Sequence, residues 1–162
     1  MARNNDTPNH EVLYEGRFLR VKQRNRWEYV ERTNASGIVA ILAITEKEEL
    51  VLVEQMRLPV NRRTIELPAG LAGDNCGEEN EALAEAARRE LLEETGYEAQ
   101  EMEFLTEGCP SAGLTTEIVT LFHARRLKKV TKGGGDSSEK IRVYTISLNV
   151  VNSWLLKKRK EG

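Results

Sequence analysis

The sequence predicts an α/β fold in which helices cover a mixed β-sheet as an α/β/α sandwich. Two observations predict it: strand-like segments lie on both sides of one clear helix, and an amphipathic segment follows the last of them. A chain of 162 residues is long enough for one continuous core and too short for two ordinary ones. We therefore expect one catalytic or binding domain with a single main site.

Composition excludes several classes of protein. Hydrophobic residues make up 40% of the chain and charged residues 31%, as in soluble globular proteins, and the formal net charge of −2 provides no overall field for nucleic acid. Cys76 and Cys109 lack the CxxC spacing of a zinc site. The N-terminal MARNNDTPNH has no apolar signal-peptide core, and no apolar run reaches membrane-spanning length. We expect a cytoplasmic protein with neither a nucleic-acid nor a membrane partner.

The first part of the chain reads as strands. Residues 1–10 are predicted to be a disordered tail, and residues 11–36 contain EVLYEG, FLRVKQ and RWEYVERT, which predict an antiparallel strand layer. The main domain is predicted over residues 37–162. It begins with GIVAILAIT (37–45) and LVLVEQMR (50–57), whose β-branched and aliphatic residues predict a buried hairpin around the polar turn TEKEE.

One helix stands out in the second half. After the polar loop LAGDNCGEEN (71–80), alanines and leucines recur from about Glu79 to Thr95, and Gly96 stands where a helix C-terminal cap belongs. EMEFLTEG and TEIVTLFHARRL then predict strands, KGGGDSSEK a loose loop, IRVYTISL a strand and NVVNSWLLKKRK a final helix.

The clear helix carries an acidic ridge. Glu90, Glu93 and Glu94 lie three and four residues apart and share one face, where each like-charged pair destabilises an isolated helix by roughly 0.2–0.5 kcal/mol. Oxygen ligands of this kind suit Mg²⁺ or Mn²⁺. Arg89 can pair with Glu93 and with Glu85, and would then orient a ligand carboxylate. The alternative interpretation is a solvated, charged helix face.

The string RELLEETGY (89–97) matches the C-terminal half of the Nudix box, RE-U-x-EE-x-G-U with U aliphatic or aromatic, so the chain resembles the Nudix hydrolases. The resemblance implies the Nudix sandwich, a Mg²⁺ cofactor that Mn²⁺ can replace, and metal ligands at Glu90, Glu94 and Glu93 together with the Ala69 carbonyl. Arg89 would serve catalysis by orienting these carboxylates.

The upstream half of the box departs from the family pattern. Asn75 stands where the family has a glycine, although Glu81 fits the box glutamate. Alternatively, Gly70 is the family glycine, about five residues are inserted after it, and Glu78 lies in the closing turn of the loop. Helix phase weakly favours Glu81, and both alternatives stay open.

Motifs outside the box resemble the ADP-ribose pyrophosphatase branch. VEQMRLP (53–59) matches V-x-Q-x-R-x-P and is followed by ELPAG (66–70), and CPSAGLTTE (109–117) stands where the branch has a proline-containing turn. The resemblance implies hydrolysis of a nucleoside diphosphate sugar, ADP-ribose to AMP and ribose 5-phosphate, with Arg57 binding phosphate. The alternatives are a hydrolase of nucleoside triphosphates or dinucleoside polyphosphates, and a non-catalytic nucleotide-sensing module.

WEYVERT (27–33) resembles a segment that, in this branch, reaches across a domain-swapped homodimer and stacks on the base. The resemblance implies that Trp27 and Phe18 stack on adenine, that Glu28 accepts its exocyclic amino group, and that residues 11–36 form a dimerisation and substrate-stacking segment. The alternative for either ring is packing in the core.

A general base is needed in addition to the metal ligands, because a bound cation depresses carboxylate basicity. In the resembling enzymes the base lies on a loop before a late strand, which here implies Glu139 in KGGGDSSEKIRV (132–143). The three glycines would make that loop flexible. Glu117 is the second candidate.

Overall fold

The computed structural model describes residues 10–73, 81–135 and 140–161. In these ranges the strands are β1 Glu11–Glu15, β2 Leu19–Arg24, β3 Trp27–Arg32, β4 Gly37–Ala43, β5 Glu49–Arg57, β6 Arg62–Glu66, β7 Ala69–Ala72, β8 Tyr97–Gly108, β9 Val119–Lys129 and β10 Arg142–Ser147. The helices are α1 Leu83–Thr95 and α2 Val151–Glu161, and a 3₁₀ turn covers Leu58–Val60.

The N-terminal strands form their own antiparallel sheet in the order β1-β2-β3, which confirms the predicted meander. This sheet is attached to the rest of the chain through β3. The Val30 N–H donates to the Leu114 carbonyl at 2.8 Å, and the Thr116 N–H donates to the Val30 carbonyl at 3.1 Å. The turn after β8 is thereby tied to the N-terminal sheet, which places both beside the same cavities.

Two further sheets complete the fold. One has the order β7-β4-β9-β8 and is mixed, because β4 and β9 are parallel while the other pairs are antiparallel; the second is antiparallel with the order β10-β5-β6. Helix α1 packs on the mixed sheet, and α2 approaches β10 through Trp154, whose ring lies 4.8 Å from that of Tyr144. The predicted mixed α/β fold is confirmed.

The core lies between α1 and the mixed sheet. Its buried residues are Val39, Ile41, Ala43, Val51, Ala72, Ala86, Ala87, Leu91, Phe122 and Ala124. Alanines on α1 and on the strands let the helix lie close to the sheet, and α1 is thereby fixed with its acidic side along β7.

The predicted hairpin of residues 37–57 is wrong. Strands β4 and β5 belong to different sheets and meet at one isolated bridge, between Ile44 and Leu50. Strand β5 is buried from Val51 to Gln55 and pairs with β6 and β10 on its two sides. A strand that is buried on both faces has no alternation of apolar and polar residues, so its sequence does not show which strands it pairs with. The prediction paired β4 with β5 because they are adjacent along the chain.

Other boundaries also differ from the prediction. Helix α1 begins at Leu83 rather than Glu79, with Ala82 extended as its N-terminal cap residue, and strands β6 and β7 were not predicted. The predicted disordered tail falls mainly on residues 1–9, outside the described residues, and the domain boundary near residue 37 stays a prediction. Of the helices described, neither is long and apolar enough to cross a membrane.

Candidate active site

The C-terminal half of α1 brings two glutamates beside β7. The helix ends as predicted at Gly96, which adopts the left-handed conformation at φ 72° and donates its N–H to the Leu92 carbonyl at 2.7 Å. Since Ala87 and Leu91 turn toward the core, Glu90 and Glu94 lie side by side on the face that runs along β7.

Glu94 is a buried carboxylate, not the exposed helix residue that the sequence indicated. It is 3% exposed, and its Oε2 accepts the Ala69 N–H at 3.0 Å. Burying an ionised carboxylate is costly unless it is hydrogen-bonded and its charge is compensated. A bound cation beside Glu94 would supply that compensation.

Glu90 lies directly over Gly70. A Cβ placed on Gly70 would lie 2.0 Å from the Glu90 Cδ and 2.2 Å and 2.4 Å from its carboxylate oxygens. Only glycine therefore leaves room for this carboxylate, which gives residue 70 a physical role in the site. This contact favours the interpretation in which Gly70, and not position 75, corresponds to the family glycine.

Arg89 holds the acidic groups together. Its Nε and Nη2 donate to the two carboxylate oxygens of Glu81 at 3.1 Å each. Its Nη1 donates to Glu90 Oε1 at 2.8 Å and to Glu93 Oε2 at 3.3 Å. Its Nη2 also donates to the Leu71 carbonyl at 2.8 Å. The Glu81 hydrogen bond raises the pKa of Arg89 above its usual value, and Arg89 in turn lowers the pKa of Glu81. The guanidinium thus fixes α1 to β7.

The Arg89 network includes Glu81, which is one of the two candidates for the upstream glutamate of the box. Glu81 also accepts the Gly73 N–H at 3.4 Å, so it closes the end of β7 onto α1. Glu78 lies outside the described residues. The sequence indicated Glu85 as a partner of Arg89, and the structure places Glu85 3.7 Å from Arg88.

The two glutamates line a cavity of about 320 Å³. It is lined by Arg32, Ile38, Gln55, Arg57, Ala69, Gly70, Leu71, Glu90 and Glu94. Glu93 is absent from this lining; its side chain is 50% exposed and turned to Arg89. Within the described residues no group of three or more acidic, histidine or cysteine side chains has the arrangement of a metal site. Two carboxylates with open space beside them still fit Mg²⁺, which keeps several water ligands.

Arg57 reaches the same cavity from β5. Its Nε donates to Glu66 Oε1 at 3.0 Å and its Nη2 donates to Glu66 Oε2 at 2.6 Å, in a bidentate pair. Thr64 also donates to Glu66, and the Arg57 hydrogen bonds are the main cause of a lowered Glu66 pKa. The guanidinium is thus held at the cavity wall opposite the acidic pair.

A second cavity, of about 290 Å³, adjoins the first and shares Arg32 and Ile38 with it. Glu117 lines this second cavity, where its Oε1 accepts a hydrogen bond from Arg32 Nε at 3.1 Å and forms an ion pair with Arg32 Nη2 at 3.1 Å. A third cavity, of about 510 Å³, shares Thr116 with the second and is lined by Trp27. The three cavities therefore run in sequence from Trp27 to the acidic pair.

The predicted stacking residues separate in the structure. Trp27 is 59% exposed and lies near Gly113, so it is a surface residue of the third cavity and not a core residue. Phe18 is 49% exposed, carries the Arg17 guanidinium 4.9 Å from its ring centroid, and lines none of the three cavities. Glu28 is exposed on β3 and also lies outside the three linings.

Glu139 lies outside the described residues, but the glycines before it do not. Gly133, Gly134 and Gly135 have φ of 66°, 116° and 81°. The Gly134 N–H donates to the Glu94 carbonyl at 2.8 Å and the Gly135 N–H to the Glu93 carbonyl at 3.1 Å. The sequence indicated that these glycines provide flexibility; in the structure they cap the C-terminus of α1 in conformations that other residues rarely adopt.

Sequence comparison identifies known proteins that are similar to this chain. The chain is 37% identical over 124 residues to "Methanol dehydrogenase activator" from Bacillus methanolicus, with 76% of this chain and 64% of the relative covered. It is 38% identical over 113 residues to "ADP-ribose pyrophosphatase" from Bacillus subtilis, with 69% and 58% covered. The chain thus spans about three fifths of the length of these curated relatives.

Among solved structures, "Crystal structure of ADP compounds hydrolase" superposes with a TM-score of 0.70 at 22% identity, covering 91% of this chain and 80% of the other. That likeness shows the fold. The NUDIX domain family matches residues 34–161, which include the acidic pair, Arg89, Arg57 and Gly70. The chain belongs to the NUDIX domain family.

Proposed function

We propose that this chain hydrolyses the pyrophosphate linkage of a nucleoside diphosphate sugar, with ADP-ribose cleaved to AMP and ribose 5-phosphate. The observation that carries the proposal is the cavity in which buried Glu94 and Glu90 face Arg57. Acidic and basic groups that line one cavity suit a metal-bound diphosphate, which brings both cationic and anionic charge.

The cofactor is Mg²⁺, with Mn²⁺ as a substitute, held by Glu90 and Glu94. A divalent cation bound there would neutralise charge on the diphosphate and orient an attacking water. Arg89 keeps Glu90 in place and Gly70 leaves space for its carboxylate. The Ala69 carbonyl and Glu93 complete the proposed ligand set; Glu93 would have to turn from Arg89 to reach the cavity.

Arg57 binds the diphosphate. Its guanidinium is already oriented by Glu66, so the groups that face the cavity lose little freedom when a phosphate binds. Arg32 lines both of the first two cavities, through which the bound substrate would extend from Arg57 toward Trp27.

Glu139 is the proposed general base. Glu117 is the weaker candidate, because Arg32 engages one of its carboxylate oxygens with a hydrogen bond and an ion pair. The hydrogen bonds from Gly134 and Gly135 hold the chain before Glu139 at the C-terminus of α1, the helix that bears Glu90 and Glu94, which supports a role for Glu139 at the same site.

The base of the substrate stacks on Trp27, with Glu28 and Phe18 as further contacts across a domain-swapped homodimer. The support is a set of exposed apolar side chains on and between β1–β3, namely Val12, Leu13, Tyr14, Phe18, Leu19 and Trp27. A three-stranded sheet with such a surface gains stability from a partner. Sedimentation at micromolar concentration should give a dimer, and a monomer would contradict this arrangement.

The names of the relatives support the substrate class, since one is "ADP-ribose pyrophosphatase". The test is a substrate panel with Mg²⁺: ADP-ribose, other diphosphosugars, nucleoside triphosphates and dinucleoside polyphosphates, each scored by its nucleotide products after anion-exchange chromatography. The highest kcat/KM should belong to a diphosphosugar. A preference for triphosphates would overturn the substrate class, and no turnover of any substrate would favour a nucleotide-sensing module.

A further inference from the structure

A fourth cavity, of about 250 Å³, lies among β5, β6, β10 and α2. Its lining residues are Glu54, Arg63, Ile65, Arg142, Lys158 and Glu161. None of them lines the three cavities of the proposed active site. This cavity, which we call the α2 cavity, has no part in the function proposed above.

Strand register places the α2 cavity on the opposite face of β5 from the acidic pair. Glu54 is paired with Arg142 of β10 on one side and with Ile65 of β6 on the other. Successive residues of a strand point to opposite faces, so Gln55 turns toward the active-site cavity while Glu54 turns toward the α2 cavity. A ligand in the α2 cavity would not compete with substrate for space.

Glu54 is the anchor of this cavity. Its side chain is only 8% exposed, and its Oε1 accepts a hydrogen bond from Arg63 Nη1 at 3.2 Å and lies 3.7 Å from Arg142 Nη1. Its Oε2 accepts the Tyr144 hydroxyl at 2.8 Å. Both oxygens are therefore engaged, and the buried charge holds two guanidinium groups at the cavity mouth.

The positive charge in the α2 cavity exceeds the negative charge that Glu54 provides. Arg63 and Arg142 are 50% and 63% exposed, and each guanidinium has five N–H donors, more than Glu54 and Tyr144 take up. Lys158 adds a third positive charge from α2, with Nζ 5.6 Å from the Tyr144 ring centroid and 3.1 Å from Glu161. Three cations face two carboxylates, and Glu161 is at the exposed rim.

We propose that Arg63, Arg142 and Lys158 form a binding site for a small phosphate-bearing anion in the α2 cavity. Paired guanidinium groups match the oxygens of a phosphate bidentately, and an ammonium adds a point charge. The volume admits a phosphate group with a small substituent. A nucleotide bound in the active site and a phosphate in the α2 cavity could be held at once.

The test is titration of inorganic phosphate into metal-free protein at a constant ionic strength of about 0.15 M, followed by amide NMR shifts. The amides of Ile65, Tyr144 and Lys158 should shift together and saturate. The Arg142→Gln variant should weaken this binding at least about tenfold, which corresponds to about 1.4 kcal/mol, and should leave hydrolysis unchanged. Ribose 5-phosphate in a second arm distinguishes a phosphomonoester from free phosphate by the tighter binding.

The matched control is Arg125→Gln, which removes an arginine of similar exposure on β9 that pairs with Glu103. It should bind phosphate like the unmodified protein. Shifts confined to the active-site residues Arg57 and Gly70, or no saturable shift at millimolar phosphate, would overturn the proposal. An equal loss of binding in Arg125→Gln would also overturn it, since general charge screening would then explain the effect. Lys158→Gln provides a second variant if Arg142→Gln is unstable.

Discussion

The substitution Gly70→Ala should reduce hydrolysis while leaving the fold intact. The added methyl group would stand 2.0 Å from the Glu90 Cδ, whereas ordinary contact begins at 3.4 Å. The carboxyl group must therefore retreat by more than about 1 Å, away from the position in which Arg89 and the cavity hold it. The nearest obstacle is the end of a flexible side chain, so the backbone need not move.

The magnitude follows from this displacement. Moving a catalytic group by about 1 Å can cost roughly 10²-fold in rate, so kcat should fall by about that factor. A strained rotamer of Glu90 costs about 0.5–1.5 kcal/mol, and a change of 1 kcal/mol shifts Tm by roughly 2–4 °C in a protein of this size. We thus expect a large loss of rate with a small change in stability.

The assay compares kcat for ADP-ribose at saturating Mg²⁺ with Tm for the same preparation. Gly108→Ala is the matched control, because no atom lies within 4 Å of a Cβ at that position. An unchanged kcat in Gly70→Ala would show that the position of Glu90 does not matter for catalysis. A fall in Tm large enough to explain the lost activity would make Gly70 a packing residue.

Three further results are expected. Trp27→Ala should raise KM for ADP-ribose by roughly 5- to 150-fold with kcat nearly unchanged, as loss of base stacking worth about 1–3 kcal/mol requires; unaltered KM would exclude stacking. Glu139→Gln should lower kcat more than it raises KM, and a change in KM alone would direct the search for the base to Glu117. Arg57 lowers the Glu66 pKa below its usual value, so their pair stabilises the protein at neutral pH and loses its effect as pH falls through the lowered value. The difference in Tm between the unmodified protein and Glu66→Gln should therefore be present at neutral pH and disappear in acid, and a difference that persists in acid would contradict this linkage.

Local sequence rules predicted the elements whose causes are local. Gly96 ends α1 as predicted, because a helix C-terminal cap depends on one residue that tolerates a left-handed conformation. The acidic ridge also follows from helix periodicity, which places Glu90 and Glu94 on one face. The three N-terminal strands, which polar turns separate in the sequence, were predicted with nearly their observed bounds.

Features that depend on tertiary contacts were missed. Strands β6 and β7 are short and lie in polar or glycine-containing sequence, so only their partners β5 and β4 define them. The burial of Glu94 depends on β7 packing against α1, which a helical wheel cannot show. Glu81 was one of the two candidates for the box glutamate, but its hydrogen bonds with Arg89 were not predicted, because Glu81 precedes the helix and only the tertiary structure brings the two together.

The most direct test of the central claim is ³¹P NMR of ADP-ribose incubated with the protein and Mg²⁺. We expect the two pyrophosphate resonances to be replaced by the two phosphomonoester resonances of AMP and ribose 5-phosphate. Glu94→Gln, which keeps an oxygen to accept the Ala69 N–H, should remain folded and leave the pyrophosphate intact, while Glu85→Gln, a change at an exposed position on the same helix, should hydrolyse it normally. Persistent pyrophosphate resonances with the unmodified protein, or normal cleavage by Glu94→Gln, would contradict the claim.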